Sequence, residues 1–310
     1  MTKTVQLTAE AAGRRLDVVV GDVLGLSRAR VKSLFETGAV RLDGRRPSKG
    51  DRATAGARLQ VELAEEAPVL LPEPGLALRL LYEDRWLLAV DKPAGMPSHP
   101  LKPGETQTVA NALVARYPEV AAASADVREA GLVHRLDIDT SGVLLAARDR
   151  ETWEAVRGLF RERAVDKRYW AVVSGPIADA GAIDLPLRHK GETRVEAAVD
   201  GGEEGREAVS EFHVLDRAGE LALVEVRILT GVLHQVRAHL AAIGAPVVGD
   251  GLYGGQALPG LSRFFLHARF LGLVHPATAV PLRVESPLPE ELSRALATAH
   301  LQPPGGSGPA

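Results

Sequence analysis

The densest group of polar residues in the chain stands between two apolar runs, in the segment GLVHRLDIDTSGVLLAARD. Asp137 and Asp139 supply carboxylates, Arg135 a cation, and Thr140 and Ser141 hydroxyls. A carboxylate in such a setting can act as a nucleophile or as a general base. The alternative is a turn in which Asp, Thr and Ser side chains bind backbone N–H groups. Arg135, two residues before Asp137, favours a site that meets an anion or a base.

A second polar group follows a predicted strand, in ILTGVLHQVRAHLAAIGAPVVGDGLYGG. The helix predicted at residues 234–243 would fix Arg237 on a rigid element. His234 and His239 are five residues apart and do not share a helix face, so a metal site is poorly supported. The chain has no P-loop motif, no GxSxG and no GxGxxG after a strand, so nucleotide-cofactor and serine-hydrolase functions lack support.

The net charge of −3 is unevenly distributed over the 310 residues. Residues 13–58 hold eleven Lys and Arg against five acids, a net charge of +6, so the remainder carries −9. A small basic segment joined to a larger acidic one predicts a polyanionic partner. The absence of cysteine excludes disulfides and thiolate chemistry, and no apolar run has the length of a membrane helix. We therefore expect a cytoplasmic protein without membrane contacts.

Prolines, glycines and apolar residues predict two domains, of which the larger is of α+β class. The segment SRARVKSLFETG predicts a short helix with Ser27 as N-cap and Gly38 as its stop. The proline-rich residues 64–75 predict a linker. Beyond it, apolar runs of strand length are separated by turns and by predicted helices at 150–163 and 234–243, without regular βαβ alternation. The predicted boundaries are 13–63 for the basic module, 76–293 for the large domain and 294–310 for a flexible tail.

The whole chain resembles the RluA/RluD-type pseudouridine synthases, a family acting on large-subunit ribosomal RNA. HRLDIDTSG is similar to the central motif of that family and is the most specific signal in the sequence. Five other segments match in order over residues 76–290: LLYEDRWLLAVDKPAGMPSHP, KRYWAVVSG, REAVSEFHVL, TGVLHQVRAHLAAIGAPVVGDGLYG and FFLHARFLGLVHPATAVPLRVESPLP. The resemblance implies a catalytic domain with a mixed, mainly antiparallel sheet.

The basic segment resembles the alpha-L RNA-binding module of a small-subunit ribosomal protein and of several RNA-modifying enzymes. The match is carried by RRLDVVV, SRARVKSLFETGAVRLDG and GARLQVEL, and it implies a small α/β-type module that precedes the catalytic domain. Phosphate contacts from such a module would give affinity rather than sequence choice. The candidate RNA-binding residues are Arg28, Arg30 and Lys32 in the module and Lys92, His134 and Lys167 in the catalytic domain.

The resemblance implies an isomerisation of uridine to pseudouridine that needs neither cofactor nor metal. The N-glycosidic bond breaks, the uracil rotates, and it rejoins the sugar through C5. The catalytic carboxylate would be Asp137, which either attacks or deprotonates the nucleotide. Arg237 would pair with it and favour its ionised form. Tyr169 matches a tyrosine that stacks on the uracil and is a candidate to take the C5 proton, although strand pattern alone makes it a core aromatic. Arg135 would fill the space left by the flipped uridine.

One position departs from the family pattern, and other functions stay open. The family has T-G-R where this chain has Thr230-Gly231-Val232, so a cation is missing near the cleft. A weaker grip on RNA or a different target would follow, while the chemistry would survive. The alternatives are a non-catalytic RNA-binding assembly factor, a transfer-RNA enzyme of the same family, and a metal-dependent hydrolase using the nine histidines. We expect a monomer whose partner is ribosomal RNA or a pre-ribosomal particle.

Overall fold

The chain forms two compact units, residues 1–67 and 68–310. The computed structural model describes residues 2–26, 28–62, 70–191, 194–198 and 205–304. The predicted N-cap Ser27, linker residues 64–69 and tail residues 305–310 therefore lie outside the described residues.

The first unit packs two helices on a small antiparallel sheet. Its elements are β1 (Thr2–Gln6), α1 (Leu16–Leu24), α2 (Arg28–Thr37), β2 (Val40–Leu42) and β3 (Arg58–Glu62), with strand order β1-β3-β2. Helix α2 buries Val31, Leu34 and Phe35, the apolar stripe that its sequence predicts, and ends at Gly38 with φ 75°. Because β1 pairs along β3, the module starts before residue 13, and that predicted boundary is wrong.

The second unit is built on a mixed sheet, which has nine strands among the described residues. The strands are β4 (Arg79–Glu83), β5 (Leu87–Lys92), β6 (Ser141–Ala147), β7 (Asp166–Ser174), β8 (Ala180–Asp184), β11 (Val209–Ala218), β12 (Leu221–Ile228), β13 (Leu266–Val274) and β14 (Pro281–Glu285). A separate hairpin is formed by β9 (Leu187–Lys190) and β10 (Arg194–Ala197). The helices are α3 (Val109–Arg116), α4 (Arg150–Arg161), α5 (Gln235–Ala242) and α6 (Glu290–Thr298).

The strand order is β4-β5-β6-β13-β7-β12-β11-β8, with β14 on β13. Among the described strands, β6 and β13 pair in parallel, over two residues, and the other pairs are antiparallel. This confirms the predicted mixed, mainly antiparallel sheet and the α+β class.

Helices cover both faces of the sheet. Successive residues of a strand point to opposite faces, so consecutive apolar residues present both faces for burial. Leu88 and Val90 belong to the core cluster that contains α3 and α5, whereas Leu87 and Ala89 belong to the cluster beneath α4. Helix α6 packs on residues of β7 and β12, including Val172. Strand β6 is buried along its whole length, as expected for a strand covered on both faces.

Two predicted boundaries of the large domain need correction. Helix α6 crosses residue 294, and the apolar residues Ala295, Leu296 and Leu301 are buried, so the flexible tail does not begin there. Leu70, inside the predicted linker, is buried in the core cluster of the second unit. Compact packing therefore extends further at both ends of this domain than the sequence predicts.

Candidate active site

The polar motif at residues 134–141 forms a tight turn at the start of β6. The Thr140 N–H donates to the Asp137 carbonyl at 3.1 Å, which closes the turn. The Asp137 side chain is 19% exposed and faces a cavity of 570 Å³, so a ligand can reach its carboxylate. The Thr140 hydroxyl also lies at this cavity, buried and without a hydrogen-bond partner in the described part of the chain. The turn thus presents the Asp137 carboxylate to the cavity and keeps the Thr140 hydroxyl buried beside it.

Arg237 projects from α5 toward Asp137. Its Nη1 donates to Asp137 Oδ2 at 3.2 Å, so the structure brings together the two residues that the sequence predicts as partners. Its Nε and Nη2 donate to the two oxygens of Asp250 at 2.6 and 2.9 Å, and the guanidinium lies 4.2 Å from the centre of the Phe264 ring. A bidentate carboxylate fixes the plane of a guanidinium. Arg237 is therefore held rigidly from behind and offers one N–H group to Asp137.

Asp250 and Phe264 were missed as site residues. Asp250 is 1% exposed and lies in the loop segment GDGLYG, where only its position within a family-like segment singles it out. An aspartate that is almost fully buried needs a charged partner, and its partner is known only once α5 is placed. The sequence placed Asp250 in a family-like segment, but it did not reveal that Asp250 pairs with Arg237.

Tyr169 and Arg135 lie on the same cavity as Asp137. Tyr169 is 8% exposed, and burial together with the charge of Asp137 raises its pKa well above the ordinary value for tyrosine. The phenol is therefore neutral at physiological pH. Arg135 is exposed and makes no hydrogen bond or ion pair with any described residue, so its guanidinium can enter the cavity.

His234, the residue that precedes α5, lies beside Asp137. Its φ is 52°, and its Nε2 lies 3.8 Å from Asp137 Oδ2. Its Nδ1 lies 3.2 Å from the Tyr253 hydroxyl, which donates its proton to the Val195 carbonyl. Burial lowers the pKa of His234, against the opposite effect of Asp137.

Gln235 fixes the entry into α5. Its Oε1 accepts from the Thr230 hydroxyl and the Val232 N–H, at 2.8 and 3.1 Å, while its Nε2 donates to the Val209 carbonyl at 2.9 Å. These hydrogen bonds hold the loop before α5 on β11. They thereby fix the start of the helix from which Arg237 reaches Asp137. His239, on the same helix, is buried against Ser210 and the Leu185 carbonyl.

Cations without a carboxylate partner line the cavity. Four arginines at the cavity form no ion pair within the described ranges. They are Arg135, Arg157, Arg161 and Arg206. By contrast, Arg163 and Glu207, which adjoin this set in sequence, pair with each other at 2.6 Å. Uncompensated positive charge around a cleft raises the local concentration of an anionic ligand.

Of the three RNA-binding candidates in this domain, Lys92 is misassigned. It is 0% exposed, and its Nζ donates to the carbonyls of Pro93, Met96 and Ile138 at 2.7–2.8 Å. A phosphate cannot reach it, so the prediction that Lys92 binds RNA is wrong. Sequence alone cannot separate a buried lysine from an exposed one when its partners are loop carbonyls.

His134 and Lys167 both line the cavity, and their contact with RNA stays a prediction. His134 stacks on Phe160 and accepts the Leu145 N–H at 3.0 Å, and burial lowers its pKa to about 3. Lys167 donates to the Thr230 carbonyl at 2.7 Å, and burial lowers its pKa to about 8. Lys167 keeps two further N–H groups for a ligand.

The RNA-binding candidates of the first unit lie on α2. Arg28 and Lys32 line a cavity of 840 Å³ together with Arg15 and Lys49, and Lys32 also pairs with Glu36 at 3.6 Å. Arg30 is half-buried. The cavity is rich in cations, as the charge of residues 13–58 predicts, and the phosphate contacts themselves stay a prediction.

Within the described ranges, no group of three or more histidines and acids is arranged to hold a metal ion. Among the same residues, no helix combines the length and apolar character needed to span a membrane.

Comparisons with known proteins identify a family model and several relatives of this chain. A family model described as RNA pseudouridylate synthase matches residues 86–242. "Ribosomal large subunit pseudouridine synthase D" of Xanthomonas campestris is 36% identical over 298 residues, 92% of this chain and 88% of the relative. The protein of the same name from Pseudomonas aeruginosa is 36% identical, over 93% of each chain. The solved structure "Human RNA Pseudouridylate Synthase Domain Containing 4" is 27% identical with a TM-score of 0.57, covering 73% of this chain and 95% of that one.

Proposed function

Because this chain belongs to the RNA pseudouridylate synthase family, we propose that it converts uridines of large-subunit ribosomal RNA to pseudouridine, with Asp137 as the catalytic carboxylate. The observation that carries the proposal is the pairing of Asp137 with Arg237 at the bottom of a cavity walled by unpaired arginines. The relatives named above supply the ribosomal target.

The reaction moves one bond and one proton. The bond from N1 of uracil to C1′ of ribose breaks, the bond from C5 to C1′ forms, and the proton on C5 is replaced by one on N1. Asp137, which accepts a hydrogen bond from Arg237, would act on the nucleotide either as nucleophile or as base.

Tyr169 fits a stacking role better than a basic one. A phenol whose pKa is raised stays protonated, so it presents an aromatic face and an O–H group rather than a phenolate. The uracil of a flipped uridine would lie against this ring. Arg135, exposed at the cavity, would occupy the place that the uridine leaves in the RNA stack.

The arginines of the cavity wall would meet the phosphates on either side of the flipped nucleotide. Arg157 and Arg161 belong to α4, and Arg206 lies across the cavity near β11. Val232 also lines the cavity, at the position where the family has a cation. These arginines would supply positive charge that Val232 lacks, and RNA binding would not depend on residue 232.

We place this reaction in the cytoplasm and in a single chain. The residues that line the cavity of Asp137 all belong to the second unit, which supports a reaction carried out by one copy of the chain. The cation-rich cavity of the first unit, which Arg28 and Lys32 line, would add affinity for ribosomal RNA or for a pre-ribosomal particle.

The test compares the wild-type protein with Asp137→Asn on unmodified large-subunit ribosomal RNA and on unmodified transfer RNA. Pseudouridines are mapped by carbodiimide treatment and primer-extension stops. Asp179→Asn serves as the matched control, because Asp179 is 93% exposed and, among the described residues, forms its one ion pair with Arg217. We expect stops in ribosomal RNA with the wild type and Asp179→Asn, and none with Asp137→Asn.

Other results would change the assignment. Modification of transfer RNA alone would replace the proposed target. Retained RNA binding without any modification by the wild type would favour a non-catalytic binder. Modification by Asp137→Asn at the wild-type rate would remove Asp137 from its proposed role.

A further inference from the structure

The backbone of the catalytic turn is held at consecutive carbonyl groups. The Ile138 carbonyl accepts Lys92 Nζ at 2.7 Å and the Gly95 N–H at 2.9 Å. The Asp139 carbonyl accepts Arg263 Nη1 at 2.7 Å. The carbonyl groups of Ile138 and Asp139, the two residues after Asp137, are thus each bound by a buried basic side chain, and neither can rotate without breaking a side-chain hydrogen bond.

Arg263 connects this turn to the C-terminal helix. Its side chain is 6% exposed, and its Nη2 donates to the Ser141 hydroxyl at 3.0 Å. Its Nε donates to Glu291 of α6 at 2.6 Å. The Ser141 hydroxyl therefore donates onward to His267 Nδ1, 2.9 Å away. The network runs from α6 through Arg263 to the residues on both sides of Thr140.

The chemical mechanism does not use this network, since none of Lys92, Arg263 and Glu291 lines the cavity. Burying an arginine costs free energy of desolvation, which an apolar core residue would avoid. Arg263 is buried nevertheless, and five acceptors bind its guanidinium. Two of its acceptors, the Asp139 carbonyl and the Ser141 hydroxyl, lie in the turn that carries Asp137. Catalytic groups must be held within about 0.5 Å of their productive geometry, and a second layer of hydrogen bonds provides this.

We propose that Arg263, anchored by Glu291 on α6, is a positioning residue that fixes the orientation of Asp137 by binding the Asp139 carbonyl, with Lys92 holding the Ile138 carbonyl from the other side. The proposal rests on the proposed function. Its consequence is that α6, which contacts no substrate in this site, sets the rate of the chemical step.

The kinetic test uses two neighbouring glutamates of α6. Glu291 binds Arg263, whereas Glu290 is exposed and, in the described part of the chain, pairs with Arg294 alone, so Glu290→Ala is a matched control for Glu291→Ala. We expect Glu291→Ala to lower kcat about tenfold and Arg263→Met about a hundredfold, with KM for the RNA within about threefold, because misplacement of a reacting group lowers kcat. Glu291→Gln keeps an acceptor oxygen for Arg263 Nε and should restore most of the activity.

A second measurement does not depend on activity. Hydrogen exchange of a peptide covering the turn reports the Thr140 N–H, which donates to the Asp137 carbonyl. We expect faster exchange there in Glu291→Ala, with unchanged exchange in β12 and unchanged behaviour of Glu290→Ala. Because this measurement uses Glu291→Ala, it still tests the proposal if Arg263→Met fails to fold.

The outcomes separate the two proposals. Loss of kcat in Glu291→Ala with faster exchange at the turn and rescue by Glu291→Gln supports the positioning role. A rise in KM at constant kcat, or wild-type exchange at the turn, overturns it. If the wild type modifies no RNA while Glu291→Ala still speeds exchange at the turn, the proposed function fails and the positioning of the turn stands.

Discussion

Replacing Asp250 by asparagine tests whether the ion pair behind Asp137 holds the site together. Arg237 would lose the carboxylate that binds its Nε and Nη2, at a place where the two side chains are 7% and 1% exposed. Removing one partner of a buried pair costs about 3–5 kcal/mol. For a unit of this size, each kcal/mol shifts Tm by roughly 2–4 °C, so we expect Asp250→Asn to lower Tm by about 10 °C.

The same change should slow the reaction. With its plane no longer fixed, the guanidinium presents Nη1 to Asp137 less accurately, and a displacement of about 1 Å costs on the order of a hundredfold in rate. Melting followed by circular dichroism and kcat on the RNA substrate are measured for the same preparations. Asp179→Asn, an exposed aspartate, is the control for the substitution itself.

A double variant separates stability from catalysis. Arg237→Met combined with Asp250→Leu removes both charges from the interior, and such replacements are often neutral or stabilising. We expect its Tm to return most of the way to the wild-type value while activity stays lost. A wild-type Tm for Asp250→Asn, or a double variant no more stable than the single one, would refute the view that loss of the buried Arg237–Asp250 pair carries the cost.

Three further changes have expected outcomes. Burial lowers the pKa of His267 to about 4, so the unfolded chain binds more protons between pH 4 and 6.5. Stability should fall as pH drops through this window, by about 3 kcal/mol near pH 4, and urea titrations of His267→Gln should show a shallower decline; an equal slope contradicts this. Burial lowers the pKa of Lys92 to about 7, so wild-type stability should rise between pH 7 and 10, and a Lys92→Met variant with the same rise would contradict this. Arg157→Gln with Arg161→Gln should raise KM without changing kcat and reduce the slope of log affinity against log salt by about 1.5; an unchanged slope places these arginines off the RNA path.

Local pattern predicted much of the fold. The helices predicted at 150–163 and 234–243 are confirmed as α4 and α5, because apolar spacing and terminal signals act over a few residues. The end of the domain was predicted wrongly, since Gly and Pro after residue 302 suggested a tail while the apolar residues of α6 bury against strands more than sixty residues away. Long-range packing of this kind leaves no local signal.

The site was predicted unevenly for a similar reason. Family-like segments singled out Asp137 and Arg237, which the structure places 3.2 Å apart across a separation of 100 residues. Lys92 was misjudged and Arg263 overlooked, because both bind backbone carbonyls. Every residue has a carbonyl, so side-chain identity does not reveal such a partner.

The parallel pairing of β6 with β13 and the bond from Arg263 to the Asp139 carbonyl have a consequence for the order of folding. These contacts join residues that are more than 120 positions apart, so they close one of the longest loops in the second unit. Contacts of high sequence separation form late, and chains fold from the N-terminal side during synthesis. A growing polypeptide that has exposed its Asp137 segment but not yet residues 263–291 therefore lacks the bonds that shape the catalytic turn, and modification of RNA must wait until translation of this segment is complete.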